Sequence, residues 1–120
     1  MAEQSIESIN AITFVTNDMA QSVAFYEAMG FVRVYGGPDA PFSSLRGGAS
    51  FVNLTTQGAP YEGQFWGRVI FHVHDVDDMC QRALDGGYAP DTSPSDASWG
   101  ERYFHIRDPD GHELSFARRL

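Results

Sequence analysis

The sequence contains no lysine and only one cysteine, Cys80. A single cysteine excludes an internal disulfide and any zinc site built from several cysteines, so we expect a reducing, cytoplasmic location. No apolar run approaches the ~20 residues of a transmembrane helix. The first ten residues also lack the basic and apolar regions of a secretory signal. The sequence therefore predicts a cytoplasmic protein with no membrane partner.

Positive charge is scarce. Eight basic residues, all arginine, stand against sixteen acidic residues, which gives a net charge of −8. Such a surface repels phosphate backbones and anionic lipids, so we expect no nucleic-acid partner. A cationic or neutral small molecule is compatible with this charge.

A gapless internal repeat organises the 120 residues, because residues 12–31 align with residues 69–88 at a constant offset of 57. Each copy predicts a strand, an N-capping aspartate (Asp18 or Asp75), an amphipathic helix and a glycine stop (Gly30 or Gly87). The second helix has an apolar stripe of Val76, Met79, Cys80, Ala83 and Leu84, so we expect Cys80 to be buried.

Short strand-like runs follow each predicted helix. They lie at 31–35, 42–45 and 50–55 in the first half, and at 88–89, 103–107 and 113–117 in the second half. The fold class is therefore α+β in a single domain over 1–120. Two βαβββ modules, about 6–55 and about 68–118, are joined by a linker at 56–67 and form a cupped mixed sheet with both helices on the convex face.

Period-two alternation assigns the two faces of each strand. Phe14, Phe71 and Phe104 should lie under the helices. The opposite face mixes aromatic, polar and ionisable side chains, and is either solvated surface or the wall of a cleft. The candidate ligand-binding residues are Phe51, Asn53, Trp66, Arg68, His72, Trp99, Tyr103, His105 and Ser115, with Tyr61 as a further stacking candidate.

Two segments resemble a known superfamily. The stretch NDMAQSVAFYEAMGF (17–31) is similar to the first-helix signature of the vicinal oxygen chelate superfamily, and FHIRDPDGHELSFA (104–117) is similar to its C-terminal signature. Glyoxalase I, extradiol dioxygenases, fosfomycin-resistance enzymes and bleomycin-resistance proteins belong to that superfamily. Its metal-dependent members hold one divalent ion with His or Glu from the first, fourth, fifth and eighth strands.

The four positions that correspond to those ligands are Ala11, Asn53, Arg68 and Ser115. None supplies an anionic or imidazole ligand, and the Arg68 guanidinium opposes a divalent cation. The resemblance therefore implies a member without metal or cofactor. A substitute metal site built from His72, His105 and Glu113 stays open as an alternative.

The resemblance is nearest to bleomycin-resistance proteins, which sequester a drug in a crevice between two chains. It implies reversible binding of an aromatic or cationic small molecule by a homodimer, with exchange of modules between chains as an open variant. The alternative is a glyoxalase-like lyase, isomerase or dioxygenase. Such an enzyme would use displaced metal ligands, or would be metal-free, with Arg68 holding an oxyanion and His105 or His72 acting as base. A domain with no ligand of its own is the third alternative.

Overall fold

The computed structural model describes residues 5–120, and the elements of its two halves follow the same order. The first half contains β1 (Ala11–Val15), α1 (Met19–Ala28), β2 (Val32–Tyr35), β3 (Phe42–Gly47) and β4 (Ser50–Thr55). The second half contains β5 (Arg68–His72), α2 (Val76–Asp85), β6 (Ser95–Asp96), β7 (Glu101–Arg107) and β8 (Glu113–Arg119).

Each half forms one four-stranded mixed sheet. The strand orders are β1-β4-β3-β2 and β5-β8-β7-β6, and in each sheet the first pair is parallel while the other pairs are antiparallel. The predicted α+β class with two βαβββ modules is confirmed.

The helix ends follow the sequence signals. The carboxylate of Asp18 accepts a hydrogen bond from the backbone N–H of Gln21, and Asp75 accepts one from the N–H of Asp78, both at 3.0 Å. Both helices end beside a glycine of positive φ, Gly30 at 100° and Gly87 at 84°, which is backbone that other residues adopt only with strain.

The sixth strand is the element that the sequence misplaced. The sequence predicts it at 88–89, but Tyr88 lies just after the end of α2. Its backbone N–H donates to the Ala83 carbonyl at 2.9 Å, and its ring packs edge-on against Phe25. The strand forms instead at Ser95–Asp96, where Asp96 pairs with Arg102 of β7 and accepts from its guanidinium at 3.0 Å. Residues 88–89 have strand propensity, but the packing of the Tyr88 ring places them outside the sheet.

The core lies between the sheets and the helices, as alternation predicted. Phe14 and Phe104 are buried, and Phe71 packs against the same core. Cys80 is buried, and burial raises the pKa of its thiol, as expected for an apolar structural cysteine. Leu84 belongs to the apolar stripe of the predicted helix, but its side chain is 52% exposed at the end of α2.

The turn between β7 and β8 joins the two halves. The Tyr26 hydroxyl of α1 donates to the Asp108 carboxylate at 2.7 Å, and the backbone N–H of Asn17 donates to Asp110 at 2.8 Å. Nε2 of His112 lies 2.7 Å from the carbonyl oxygen of Val15.

Over residues 5–120 neither helix has the length and apolar character that crossing a membrane requires.

Candidate functional site

The side of the second sheet that faces away from the helices carries three cross-strand rows of side chains. Leu114 and Phe116 of β8 enter the core, so the alternate residues face the opposite way. Register sets the rows, which run across β5, β8 and β7: Arg68, Glu113 and Arg107; Ile70, Ser115 and His105; and His72, Ala117 and Tyr103. We call these nine residues the open face.

The charged side chains of the open face occur as ion pairs. Arg68 Nη2 lies 2.5 Å from Glu113 Oε1, and Arg107 Nη2 lies 3.0 Å from Asp91 Oδ1. Each pair is formally neutral. Arg68 is therefore not the isolated cation that the sequence indicated, and an anion would have to compete with Glu113 for it.

His105 lies in the middle row and has a defined partner. Its Nδ1 lies 2.6 Å from the hydroxyl oxygen of Ser115, and its backbone N–H donates to Thr92 at 2.9 Å. Burial lowers the pKa of His105, and the positive charge of Arg68 lowers it further. The imidazole is therefore held in its neutral form at neutral pH.

Aromatic rings continue from His105 along the edge of the open face. Tyr103 lies 4.9 Å from His105 between ring centroids, and Trp99 stacks on Tyr103 at 5.7 Å with an interplanar angle of 29°. The indole N–H of Trp99 donates to Glu101 at 3.0 Å, which fixes the plane of the ring. Trp99 is 68% exposed and Ile70 is 59% exposed, so an apolar surface faces solvent.

The nine residues predicted from the sequence divide into three locations. Arg68, His72, Tyr103, His105 and Ser115 share the open face, and Trp99 extends it. Phe51 and Asn53 belong to the equivalent face of the first sheet, opposite Ala11 and Thr13 of β1.

Trp66 is used at the junction of the two halves. Its indole N–H donates to Nδ1 of His112 at 2.8 Å, and its ring packs against the core residue Phe14. Tyr61 stacks on the same imidazole at 4.4 Å. These contacts attach the segment between the halves to the core. No pattern in the sequence predicts the Trp66–His112 pair.

The residues at the family's metal positions do not fit a divalent ion. Arg68 occupies one position with its charge paired to Glu113, and Ser115 occupies another with its hydroxyl against His105. Within residues 5–120 no group of three or more His, Cys, Asp or Glu side chains is arranged to hold a metal. The substitute set of His72, His105 and Glu113 is therefore not assembled in this part of the chain, and His72 lies 3.4 Å from Glu101.

Sequence reasoning missed Asp91 and Glu101, which lie outside the repeat. Each carboxylate pairs with a residue that alternation had assigned to the mixed face, Arg107 and His72 respectively. Alternation predicts which face of a strand a residue lies on, but it does not predict which carboxylate will pair with that residue. The two pairs depend on where the loop that carries Asp91 and the start of β7 that carries Glu101 lie in the folded protein.

Comparison with known proteins identifies the family. A model described as Glyoxalase/Bleomycin resistance protein/Dioxygenase superfamily matches residues 8–116. The chain belongs to this superfamily. The superfamily expected from the sequence is confirmed.

Solved structures share the fold across almost the whole chain. TioX from Micromonospora sp. ML1 has a TM-score of 0.77 at 26% identity and covers 95% of this chain and 100% of its own. A putative glyoxalase family protein from Bacillus anthracis has a TM-score of 0.82 at 15% identity, covering 99% and 100%. A bleomycin-binding protein solved with bleomycin has a TM-score of 0.74 at 20% identity, covering 96% and 100%.

Curated relatives match over a shorter region. The Mycobacterium bovis protein Mb0911c is 36% identical over 74 residues, which is 60% of this chain and 43% of that protein. The Mycobacterium tuberculosis protein Rv0887c matches equally over 60% of this chain and 39% of its own length. This chain thus spans less than half the length of these curated relatives.

Proposed function

We propose that this member of the superfamily binds a planar aromatic or cationic small molecule reversibly, on the open face and without turnover. The observation that carries the proposal is the ring ladder of Trp99, Tyr103 and His105 beside the exposed side chain of Ile70. Stacking on an aromatic ring contributes about 0.5–1.5 kcal/mol beyond the area that it buries, so several rings in line favour a planar ligand.

The charge distribution supports a ligand that is neutral or positive. The cations of the open face are already paired with carboxylates, and the whole chain carries −8. The bleomycin-binding protein that shares this fold was solved in complex with bleomycin. From that protein we extend to this chain only the class of ligand, a small organic molecule.

Metal-free binding is part of the proposal. The family's four ligand positions hold Ala11, Asn53, Arg68 and Ser115, and a divalent ion would meet the Arg68 guanidinium there. Elemental analysis of the purified protein should find less than one equivalent of Zn, Ni, Fe or Mn per chain.

A homodimer completes the proposal, because the open face has one wall in a single chain. The equivalent face of the first sheet, with Phe51 and Asn53, would supply the second wall, from the partner copy if the modules exchange. A cytoplasmic location fits the buried, unpaired thiol of Cys80.

Tryptophan fluorescence tests the binding proposal, because the two tryptophans lie at different places. A Trp66→Phe background leaves Trp99 as the single reporter. Titration with bleomycin and with 1-methylquinolinium should quench Trp99 saturably. Trp99→Leu, in a calorimetric titration, should weaken binding by about threefold to tenfold, the loss of one stacking partner.

The matched control is Trp66→Phe alone, which should leave the affinity unchanged because Trp66 contacts His112 and Phe14. Cyclohexyltrimethylammonium, a cation without a planar ring, should bind more weakly than 1-methylquinolinium. Equal affinities for wild type and Trp99→Leu, or binding without saturation, would contradict the proposal.

A metal-free isomerase or lyase is the second candidate function. The contacts of His105 favour it over an enzyme with displaced metal ligands. The neutral imidazole, held by Ser115, has the form that a general base requires. If probes are converted to product, His105→Gln should abolish turnover while binding persists. The neutral imidazole would be the active form, and the pKa of His105 is lowered. The loss of activity on acidification should therefore occur below pH about 6.5, the usual pKa of histidine.

A further inference from the structure

A cavity lies between the two halves, and residues of both halves line it. Its volume is about 440 Å³, within the range of ~300–1,000 Å³ typical of small-molecule sites. It is bounded by the end of α1, the β3–β4 hairpin, the end of β5 and the first turns of α2. Among the residues proposed above for ligand binding, His72 alone lines this cavity.

The floor of the cavity is aromatic and apolar. Phe31 of the first half meets Phe71 of the second half edge-on, with centroids 5.2 Å apart, and Phe71 stacks on Phe116 at 5.4 Å. Met29 and Met79 flank these rings. Phe71 and Phe116 have the opposite strand parity to Ile70 and Ala117, so this floor is separate from the open face.

The hairpin wall has no side chains. Gly47 and Gly48 line the cavity, and a Cβ atom on Gly47 would lie 2.4 Å from the ring of Phe31. The backbone of the hairpin therefore packs directly against that ring, while a Cβ on Gly48 would meet nothing within 4 Å.

The charged side chains that line the cavity are two carboxylates and one guanidinium, beside the imidazoles of His72 and His74. They belong to Asp75, Asp78 and Arg82, and Arg82 Nε lies 3.3 Å from Asp78 Oδ2. This pairing leaves Asp75 as the surplus charge, so the three side chains sum to −1. An apolar floor beside this net negative charge suits a molecule that combines an apolar body with a cationic group, because aromatic faces attract cations as well.

We propose that the cavity between the two halves binds a small amphipathic amine, with its apolar body on Phe31 and Phe71 and its ammonium group toward Asp75 and Asp78. This site shares only His72 with the open face, and the proposal does not depend on the function proposed for that face. An exposed ammonium near Asp75 and near the Asp78–Arg82 ion pair gains a modest attraction.

Three probes of one shape test the charge preference: 4-phenylbutylamine, 4-phenylbutan-1-ol and 4-phenylbutyrate. Amide spectra of ¹⁵N-labelled protein should show shifts at Gly30, Gly47 and Gly48, which line the cavity. The amine should bind tightest and the carboxylate weakest. The fluorescence of Trp99 should not respond, which separates this test from that of the open face.

The variant Asp75→Asn/Asp78→Asn removes the two charges and keeps the helix cap, because asparagine caps a helix as well as aspartate does. We expect the amine to lose about fivefold to tenfold in affinity while the alcohol is unchanged. Asp85→Asn, on the same helix but away from the cavity, is the matched control and should leave both affinities unchanged. Met79→Trp, which fills the cavity, should weaken all three probes.

Three results would overturn the proposal. The first is absence of binding by the amine up to about 10 mM, and the second is equal binding of the amine and the carboxylate. The third is a shift of the Gly47 and Gly48 amides on dilution of the protein without any probe, which would assign the cavity to a second copy of the chain.

Discussion

Tyr26 and Asp108 form a buried pair that links the two halves. Tyr26 is buried in α1, and its hydroxyl donates to a carboxylate that also accepts from the backbone N–H groups of Asp110 and His112, each at 3.0 Å. Burial raises the pKa of Asp108, and the hydrogen bond from Tyr26 opposes that rise. Asp108 thus depends on its donors to stay ionised inside the protein.

Tyr26→Phe should lower the free energy of unfolding by about 1.5–3 kcal/mol at pH 7, the value of a hydrogen bond to a charged group. The loss should be smaller at acid pH. Asp108 is then protonated, and its neutral carboxyl needs the donor less. Urea denaturation at two pH values measures both effects.

Tyr35→Phe is the control for this substitution, since Tyr35 is 66% exposed on β2. We expect its effect to stay within about 0.5 kcal/mol. Equal losses for the two variants would contradict the role of the Tyr26–Asp108 hydrogen bond.

Individual residues also show where prediction from sequence stops. Arg68 was assigned to the correct face by alternation, but its pairing with Glu113 depends on the parallel register of β5 and β8. Trp66 stood in a glycine-flanked loop that suggested an exposed ligand contact. Its bond to His112, 46 residues away, is visible only in three dimensions.

At the scale of the element, both helices begin at an aspartate that repeats at the offset of 57 residues. The capping contact of Asp18 is local, since donor and acceptor are three residues apart. Local contacts of this kind are encoded by neighbouring residues, which is why both helix starts could be predicted.

Asp18→Ala should destabilise the protein by about 1 kcal/mol, the usual cost of losing an N-cap, while Asp18→Asn should cost much less. Thermal unfolding followed by circular dichroism compares the two variants. A loss for Asp18→Asn as large as that for Asp18→Ala would assign the effect to the charge instead of the cap.

Strand β6 shows the converse case. Ser95–Asp96 has little strand character in sequence, and it pairs because Arg102 of β7 holds both Asp96 and Asp77 of α2. A two-residue strand held by side chains of other elements leaves no periodic pattern to detect.

At the scale of the whole molecule, the chain is more open than a closed globule of its length. Its radius of gyration is 14.9 Å, against about 13.6 Å expected for 120 residues. The edge strand β2 also exposes apolar side chains, with Val32 at 54% and Val34 at 50%. Open sheets and an apolar edge are typical of a surface that a second copy covers.

We expect sedimentation at tens of micromolar, a rough concentration at which weak pairs already associate, to show a dimer. Val34→Glu should shift the chain toward monomer, because a charge on the edge strand opposes burial there. Leu84→Glu replaces an equally exposed leucine on α2 and should leave the dimer intact. A wild-type monomer at this concentration would contradict the prediction.

The sequence by itself determined the repeat, both helices and the buried faces of β1, β4, β5, β7 and β8, because these depend on short-range periodicity and local caps. The superfamily was indicated separately, by the resemblance of residues 17–31 and 104–117 to its signatures. The tertiary structure decided which charges pair on the open face, that Trp66 binds His112 and that a cavity lies between the two halves. Those contacts join residues far apart in the chain, and their geometry is fixed only when the two sheets and helices pack together.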